Sequence, residues 1–231
     1  MHDELSLDAQ GAATVRLLNG NWADCLQRAC ARLKAAGQAH KTDGAQALVR
    51  RLRRTRPSTY EHCLRVARVS RLTGRAFGFD ATRLQQLSAT AMMHDIGKIL
   101  VPESVLSRPR RPTRFEQFLL HLHPTFGALL ASYFNLPPEL RIRTEHHHER
   151  WDGRGYPHGL GGTDIPVMAR IVQVTDTYDA MISQRPYNRP RTHRDAVAEL
   201  RAESGKQFDP RVVEAFLDVY PAHGDENLLT V

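Results

Sequence analysis

The sequence predicts an all-α protein, a helical bundle with a short helical N-terminal extension. Three observations carry the helical prediction. Apolar residues recur at helical spacing along most of the chain. Proline, glycine and short polar residues punctuate those stretches where helices start and stop. Two-residue alternation, the mark of a half-buried strand, finds almost no support.

Residues 21–37 read as one helix, with Trp22, Leu26, Ala29 and Leu33 on a stripe and Gly37 as a stop. Residues 44–55 read as a second, basic helix. Pro57 breaks it, and Ser58 or Thr59 offers a fresh N-cap. A domain boundary is placed there, separating a segment 1–56 from a domain 57–231. Leu64, Ala67 and Leu72 mark the next helical face, which ends at Gly74. Leu84, Leu87, Ala91 and Met92 mark another, which ends in His94-Asp95-Ile96-Gly97-Lys98. Residues 112–134 give two helices separated near Pro124, and Pro137 and Pro138 open a helix that runs into three histidines. Ile171, Val174, Tyr178 and Ile182 share a face. Residues 193–204 and 209–220 close the bundle.

Composition narrows the class. Of 231 residues, 41% are hydrophobic and 25% charged, which suits a folded globular chain rather than a disordered one. No apolar run approaches ~18 residues, so no membrane span is expected. The acidic start lacks the pattern of a secretory signal. Cys25, Cys30 and Cys63 are odd in number and lack zinc-finger spacing, which predicts reduced thiols in a cytoplasmic protein. The net charge of +7 suits an anionic partner. Basic runs at 49–56 and 107–114 carry much of it, and they read as solvated surface. Without interleaved aromatic residues they do not predict a nucleic-acid partner.

The chemistry concentrates in Glu145–Gly159, EHHHERWDGRGYPHG, where three consecutive histidines precede a turn-rich stretch. A packed core has no need of such a pattern; a metal site with a lid beside it does. His94–Asp95 stands at the end of an apolar helix. Adjacent helical residues point about 100° apart, so both serve one centre if the helix ends there and the aspartate bridges two ions. Gly97 is expected to allow the bend, and Lys98 follows within reach of an anion. His62, His123, His147, His148 and Asp176 fall on or near other helices, and bundles often build two-metal sites from facing helices. Imidazoles with carboxylates suit iron or manganese, and the lack of cysteine ligands argues against structural zinc. His121 and His123 point to opposite sides, so only His123 is taken as a ligand. His146 reads as a bystander and Asp179 as a surface acid. Glu149 and Trp151 read as scaffold, or as residues that orient ligands by hydrogen bonds or packing.

From Thr59 to Leu217 the chain resembles the HD-GYP phosphodiesterases, a branch of the HD phosphohydrolase superfamily. The resemblance rests on HDIGKILVPESVL, HPTFG, HHERWDGRGYPHGLGGTDIPVMARI, DTYDAM, RPY and SGKQFDP, in the family's order and spacing. It implies hydrolysis of cyclic di-GMP to pGpG, GMP or both, by water activated between two divalent metal ions, iron or manganese. It makes His62, His94, Asp95, His123, His147, His148 and Asp176 the metal ligands, with Asp95 bridging. It places Lys98 at the scissile phosphate, Gly155, Tyr156 and Pro157 in a loop beside the substrate, and Arg185 on phosphate or guanine.

Two departures bear on function. Ser58 stands where three-metal members of the family carry glutamate, which favours two ions. Asn188 stands where the family's RPYK ends in lysine. Two other readings therefore stay open: hydrolysis of another cyclic dinucleotide, and a weakly active cyclic di-GMP-binding interaction module. Candidate partners are cyclic di-GMP, signalling proteins and a second copy of the chain, paired through the Trp22 stripe. Docking of that stripe onto its own chain is the competing arrangement. Restoring the cation with Asn188→Lys is expected to tighten cyclic di-GMP binding about tenfold, since a charged hydrogen bond contributes ~1.5–3 kcal/mol. Titration calorimetry of parent and variant checks it, and equal affinities would place this loop away from the ligand.

Overall fold

The structure, a computed structural model, describes residues 44–106, 110–184 and 189–220. The helix predicted at 21–37 with its Trp22 stripe, Cys25, Cys30, and the Arg185 and Asn188 positions lie outside the described residues. Ten α-helices are described: α1 (Gly44–Thr55), α2 (Pro57–Ala76), α3 (Ala81–Met93), α4 (Glu103–Leu106), α5 (Arg114–His121), α6 (His123–Tyr133), α7 (Pro138–Glu145), α8 (Val167–Ile182), α9 (His193–Ala202) and α10 (Pro210–Val219). Short 3-10 turns occupy Ile96–Leu100 and Gly162–Asp164. Among the described residues there is no strand beyond one isolated bridge, Ser204 to Phe208. No described helix is long and apolar enough to cross a membrane.

The described residues from Ala45 to Tyr220 belong to one compact unit. That unit starts one helix earlier than the boundary drawn at 56/57. Arg56, at the junction, donates to the Val101 carbonyl at 2.9 Å and pairs with Glu103.

Pro57 opens α2 rather than preparing a cap. At the first helical turn its missing N–H costs nothing and its fixed φ suits the helix. The N-cap is Arg56, without a side-chain cap bond, so Ser58 and Thr59 already lie inside the helix. Of the face marked by Leu64, Ala67 and Leu72, the last two pack partly buried against the core and Leu64 turns outward. Leu64 is 40% exposed, while His62, Cys63, Val66, Val69, Ser70, Thr73 and Gly74 are buried. A face judged by apolar residues alone misses polar side chains that find partners inside. Ser70 pairs with Thr175 of α8 at 2.7 Å, and Thr73 donates to the Val69 carbonyl. Nor does Gly74 end the helix. A Cβ there would stand 2.5 Å from the Leu87 side chain, so glycine lets α2 and α3 approach closely.

The later elements follow their patterns. Asp80 caps α3 by accepting from the Arg83 N–H at 2.8 Å. Leu84, Leu87 and Ala91 are buried, as are Ile171, Val174 and Tyr178 on α8. Helix α8 runs through the middle and packs on α2, α3, α9 and α10. Val66, Val69, Leu87, Ile171, Tyr178 and Phe216 belong to the resulting core.

One junction sets where chemistry can occur. The 3-10 turn after α3 packs on α6. A Cβ at Gly97 would lie 1.9 Å from the His123 carbonyl oxygen and 2.5 Å from the Gly127 nitrogen. Gly127 faces back, with Thr144 and Ile96 side chains against it. Gly97 is not among the glycines with positive φ, so it supplies room rather than the expected bend. Because its neighbour is backbone, Gly97→Ala is expected to cost at least about 1–3 kcal/mol. Gly74→Ala, which meets side-chain atoms of Leu87, Leu84 and Phe79 rather than backbone, is expected to cost less. Urea midpoints of the two variants check the order.

Candidate metal centre

Five parts of the bundle converge on one interior. His62 comes from α2, Asp176 from α8, and His123 opens α6. His94 caps α3 and Asp95 follows it; His147 and His148 follow the end of α7. All seven predicted residues meet there, in two groups. His62, His94 and Asp176 offer ligand atoms within 4.8 Å of one another, and so do His123, His147 and His148. Asp95 stands between the groups. Its Oδ2 lies 3.6 Å from His62 Nε2 and 3.5 Å from His94 Nε2, while its Oδ1 lies 3.2 Å from His123 Nε2. Lys98 donates to Oδ2 at 2.6 Å.

The hydrogen bonds fix which imidazole atoms face inward. Nδ1 of His94 is 2.6 Å from the Ala91 carbonyl, Nδ1 of His123 is 2.6 Å from the Leu120 carbonyl, and Nδ1 of His147 is 2.7 Å from the Thr144 carbonyl. A carbonyl only accepts, so each Nδ1 carries the proton and each neutral ring presents an Nε2 lone pair. His94 Nε2 is buried without a hydrogen-bond partner. The Nε2 atoms of His123 and His147 stand 3.2 Å apart. Two lone pairs at that separation repel unless a cation lies between them. The donor set therefore fits metal ions.

Asp179 was read as a surface acid, and the structure corrects this. It is 2% exposed and accepts from His62 Nδ1 at 2.7 Å. Arg65 grips both its oxygens, at 2.7 and 3.0 Å, and Ser183 adds a bond at 3.1 Å. The signal was present in spacing. Arg65 lies three residues after His62, and Asp179 three after Asp176, so each pair shares a helix face.

The electrostatics match this geometry. Burial pushes His94, His123, His147 and His148 down, His148 to about 4, so these rings stay neutral near pH 7. Burial pulls His62 down too, but its bonds to Asp176 and Asp179 prevail and raise it to about 9. Burial works against ionising Asp95 as well, yet Lys98 and the surrounding histidines hold its carboxyl well below the usual range.

The turn-rich stretch forms a wall beside the centre. Tyr156 stacks on His148 and on His121, with ring centroids 4.9 and 4.3 Å apart. His121, set aside as a ligand, thus serves the tyrosine. A Cβ on Gly155 would sit 2.3 Å from the Arg150 nitrogen, so glycine lets the loop lie on the backbone of residues 148–150. The Tyr156–Pro157 peptide is cis. Glu149 accepts from the His158 and Leu160 N–H groups at 2.6 and 3.0 Å, and Trp151 donates its N–H to Gln207. These two residues hold the loop rather than orient ligands. Ser58 is exposed on the first turn of α2.

A family model described as HD domain matches residues 42–212. The chain belongs to the HD domain family. Its Gly155-Tyr156-Pro157 block is among the motifs on which the resemblance to the HD-GYP branch rests. It is 38% identical over 179 residues to a cyclic di-GMP phosphodiesterase of Thermotoga maritima, covering 73% of this chain and 48% of that protein. It is 32% identical over 170 residues to the 3'3'-cGAMP-specific phosphodiesterase 2 of Vibrio cholerae, covering 73% of this chain and 32% of that one. The chain thus spans a third to a half of the length of these relatives. Among solved structures, an HDG"Y"P protein, Bd1817 of Bdellovibrio bacteriovorus, shares the HD fold at a TM-score of 0.58 and 20% identity, over 69% of this chain and 51% of that chain.

Asp179→Ala is expected to weaken metal binding about 10–100-fold, the usual effect of losing a group that orients a ligand. Asp179→Asn, which keeps an oxygen near His62, is expected to lose less. Competition against a metal chelator measures both.

Proposed function

We propose that this chain is a cyclic di-GMP phosphodiesterase. Two divalent ions, iron or manganese, would be held by His62, His94, Asp95, His123, His147, His148 and Asp176. The observation that carries this reading is the split of the Asp95 carboxylate, one oxygen toward each of two clusters of metal-ligand side chains. Bound ions would supply Lewis acidity, bringing water to the hydroxide form near neutral pH and holding phosphoryl oxygens.

The chain's own residues complete the arrangement. Carbonyl and carboxylate clamps keep four imidazoles aimed inward before any ligand arrives. Lys98, with a side chain 24% exposed, sits where an ammonium can offset charge growing on a phosphate. Tyr156, stacked between His148 and His121, closes one side of the centre against water. Serine or cysteine nucleophiles have no part in this scheme.

Cyclic di-GMP is preferred because of the name borne by the Thermotoga relative, with 3'3'-cGAMP kept as the alternative from the Vibrio one. Hydrolysis of cyclic di-GMP, 3'3'-cGAMP and cyclic di-AMP should be compared with iron- and manganese-loaded protein. The expected outcome is the highest kcat/KM on cyclic di-GMP, yielding pGpG and then GMP. Lys98→Ala is expected to lower kcat about 10²–10³-fold, the scale seen when one preorganised donor is removed from a developing charge. A preference for 3'3'-cGAMP would install the alternative, and full activity in Lys98→Ala would remove the lysine from the chemistry.

A further inference from the structure

A second cluster of metal-binding side chains lies beyond the seven. Glu145 is the last residue of α7 and His146 is its C-cap. His158 reaches them from the loop two residues after Tyr156. One ligand-type atom from each of these three residues lies within 4.8 Å of the others. His158 Nε2 stands 3.4 Å from Glu145 Oε1, and the two imidazole centroids are 5.2 Å apart. The Nδ1 of His146 is buried without a hydrogen-bond partner, the condition also found at His94 Nε2. The side chains of His158 and Glu145 are 46% and 22% exposed, so an ion can enter from solvent.

The donors are also held in place. Glu149 ties the His158 N–H at 2.6 Å, and the His146 N–H donates to the Ile142 carbonyl. Holding ligand-bearing backbone in advance lowers the ordering that binding would otherwise cost.

We propose that Glu145, His146 and His158 form a separate site for a borderline divalent cation such as zinc, one that pins the Tyr156 loop to the end of α7. Two imidazoles and one carboxylate are a zinc donor set with a fourth position left for water. Calcium and magnesium prefer oxygen ligands throughout and are a poor match. The site shares no residue with the centre proposed above. An ion there would join α7 to the loop from outside, with Tyr156 and His148 lying between the two attachments in sequence.

The test uses the full chain and zinc itself. Equilibrium dialysis against zinc, with ions counted per chain, is expected to show one ion fewer for His158→Ala than for the parent, or one site weakened at least ~10–100-fold. Asp176→Ala, which strips a ligand from the other centre, is expected to keep this ion. Zinc is further expected to slow hydrogen exchange of residues 153–160 in the parent and not in His158→Ala. His158 is exposed, so its removal should spare the fold. Should circular dichroism show otherwise, the isosteric Glu145→Gln reads the same quantities. Equal zinc counts and affinities in parent and variants, or equal slowing of exchange, would overturn the site. None of these readouts depends on which nucleotide, if any, the chain hydrolyses.

Discussion

The buried carboxylate of Asp95 is the charge around which the site is arranged. It is 1% exposed. An unpaired carboxylate in such a place costs several kcal/mol and would pick up a proton instead. Here it stays ionised because Lys98 donates to Oδ2 and the His62 ring, which keeps its proton near pH 7, stands 3.6 Å from the same oxygen. Bringing His62, His94 and His123 around that carboxylate requires α2, α3 and α6 to end or pass within a few ångströms of one point. The demand is met by backbone contact. Only with glycine at position 97 can the His123 carbonyl lie against the turn that carries Asp95. Charge and packing are therefore one constraint, expressed once by a carboxylate and once by a missing side chain.

A repeated device aims the imidazoles. The last turn of any helix leaves carbonyls without intrahelical donors. Ala91 lies in the last turn of α3, Leu120 in that of α5 and Thr144 in that of α7, and each is bonded by the imidazole three residues on. One hydrogen bond finishes the helix, fixes the tautomer and turns Nε2 toward the interior. The carbonyl end of a helix is also its negative end, which favours a partly positive N–H there. His62 sits mid-helix, where carbonyls are already used. Its clamp has to come from elsewhere, and Asp179 on α8 supplies it.

This difference explains what could be read from the sequence. The all-α class followed from periodicity. The seven residues that meet at the candidate centre were legible because imidazoles and carboxylates are metal-ligand types, and because the blocks that carry them stand in a recognisable order. Asp179 was not legible as a clamp, since its partner lies 117 positions away and nothing local separates it from a surface acid. The buried face of α2 was legible only in part, for a related reason. Ser70, Thr73 and His62 count as polar in any periodicity argument, and their partners belong to tertiary structure or to the helix backbone. Gly74 and Gly97 were read as a stop and a bend, the common local uses of glycine, when both serve close approach. A need for space depends on the neighbouring element, and a single segment does not record its neighbour.

The GYP block shows why some motifs remain continuous when others scatter. His148 lacks the carbonyl clamp of His94, His123 and His147. Its plane is bounded instead by rings, with His147 at 4.2 Å, His123 at 5.0 Å and Tyr156 at 4.9 Å between centroids. Tyr156 can stack there because its own N–H bonds back to the His148 carbonyl at 3.3 Å. It also needs Gly155 to let the chain lie on residues 148–150. The residue that would bind metal and the residue that would face substrate thus position each other through eight positions of chain. An insertion between them would part the stack, whereas α2 and α8 can stand at any sequence distance that lets them pack. Contiguity in this stretch has a mechanical origin: the loop is the clamp for the last histidine.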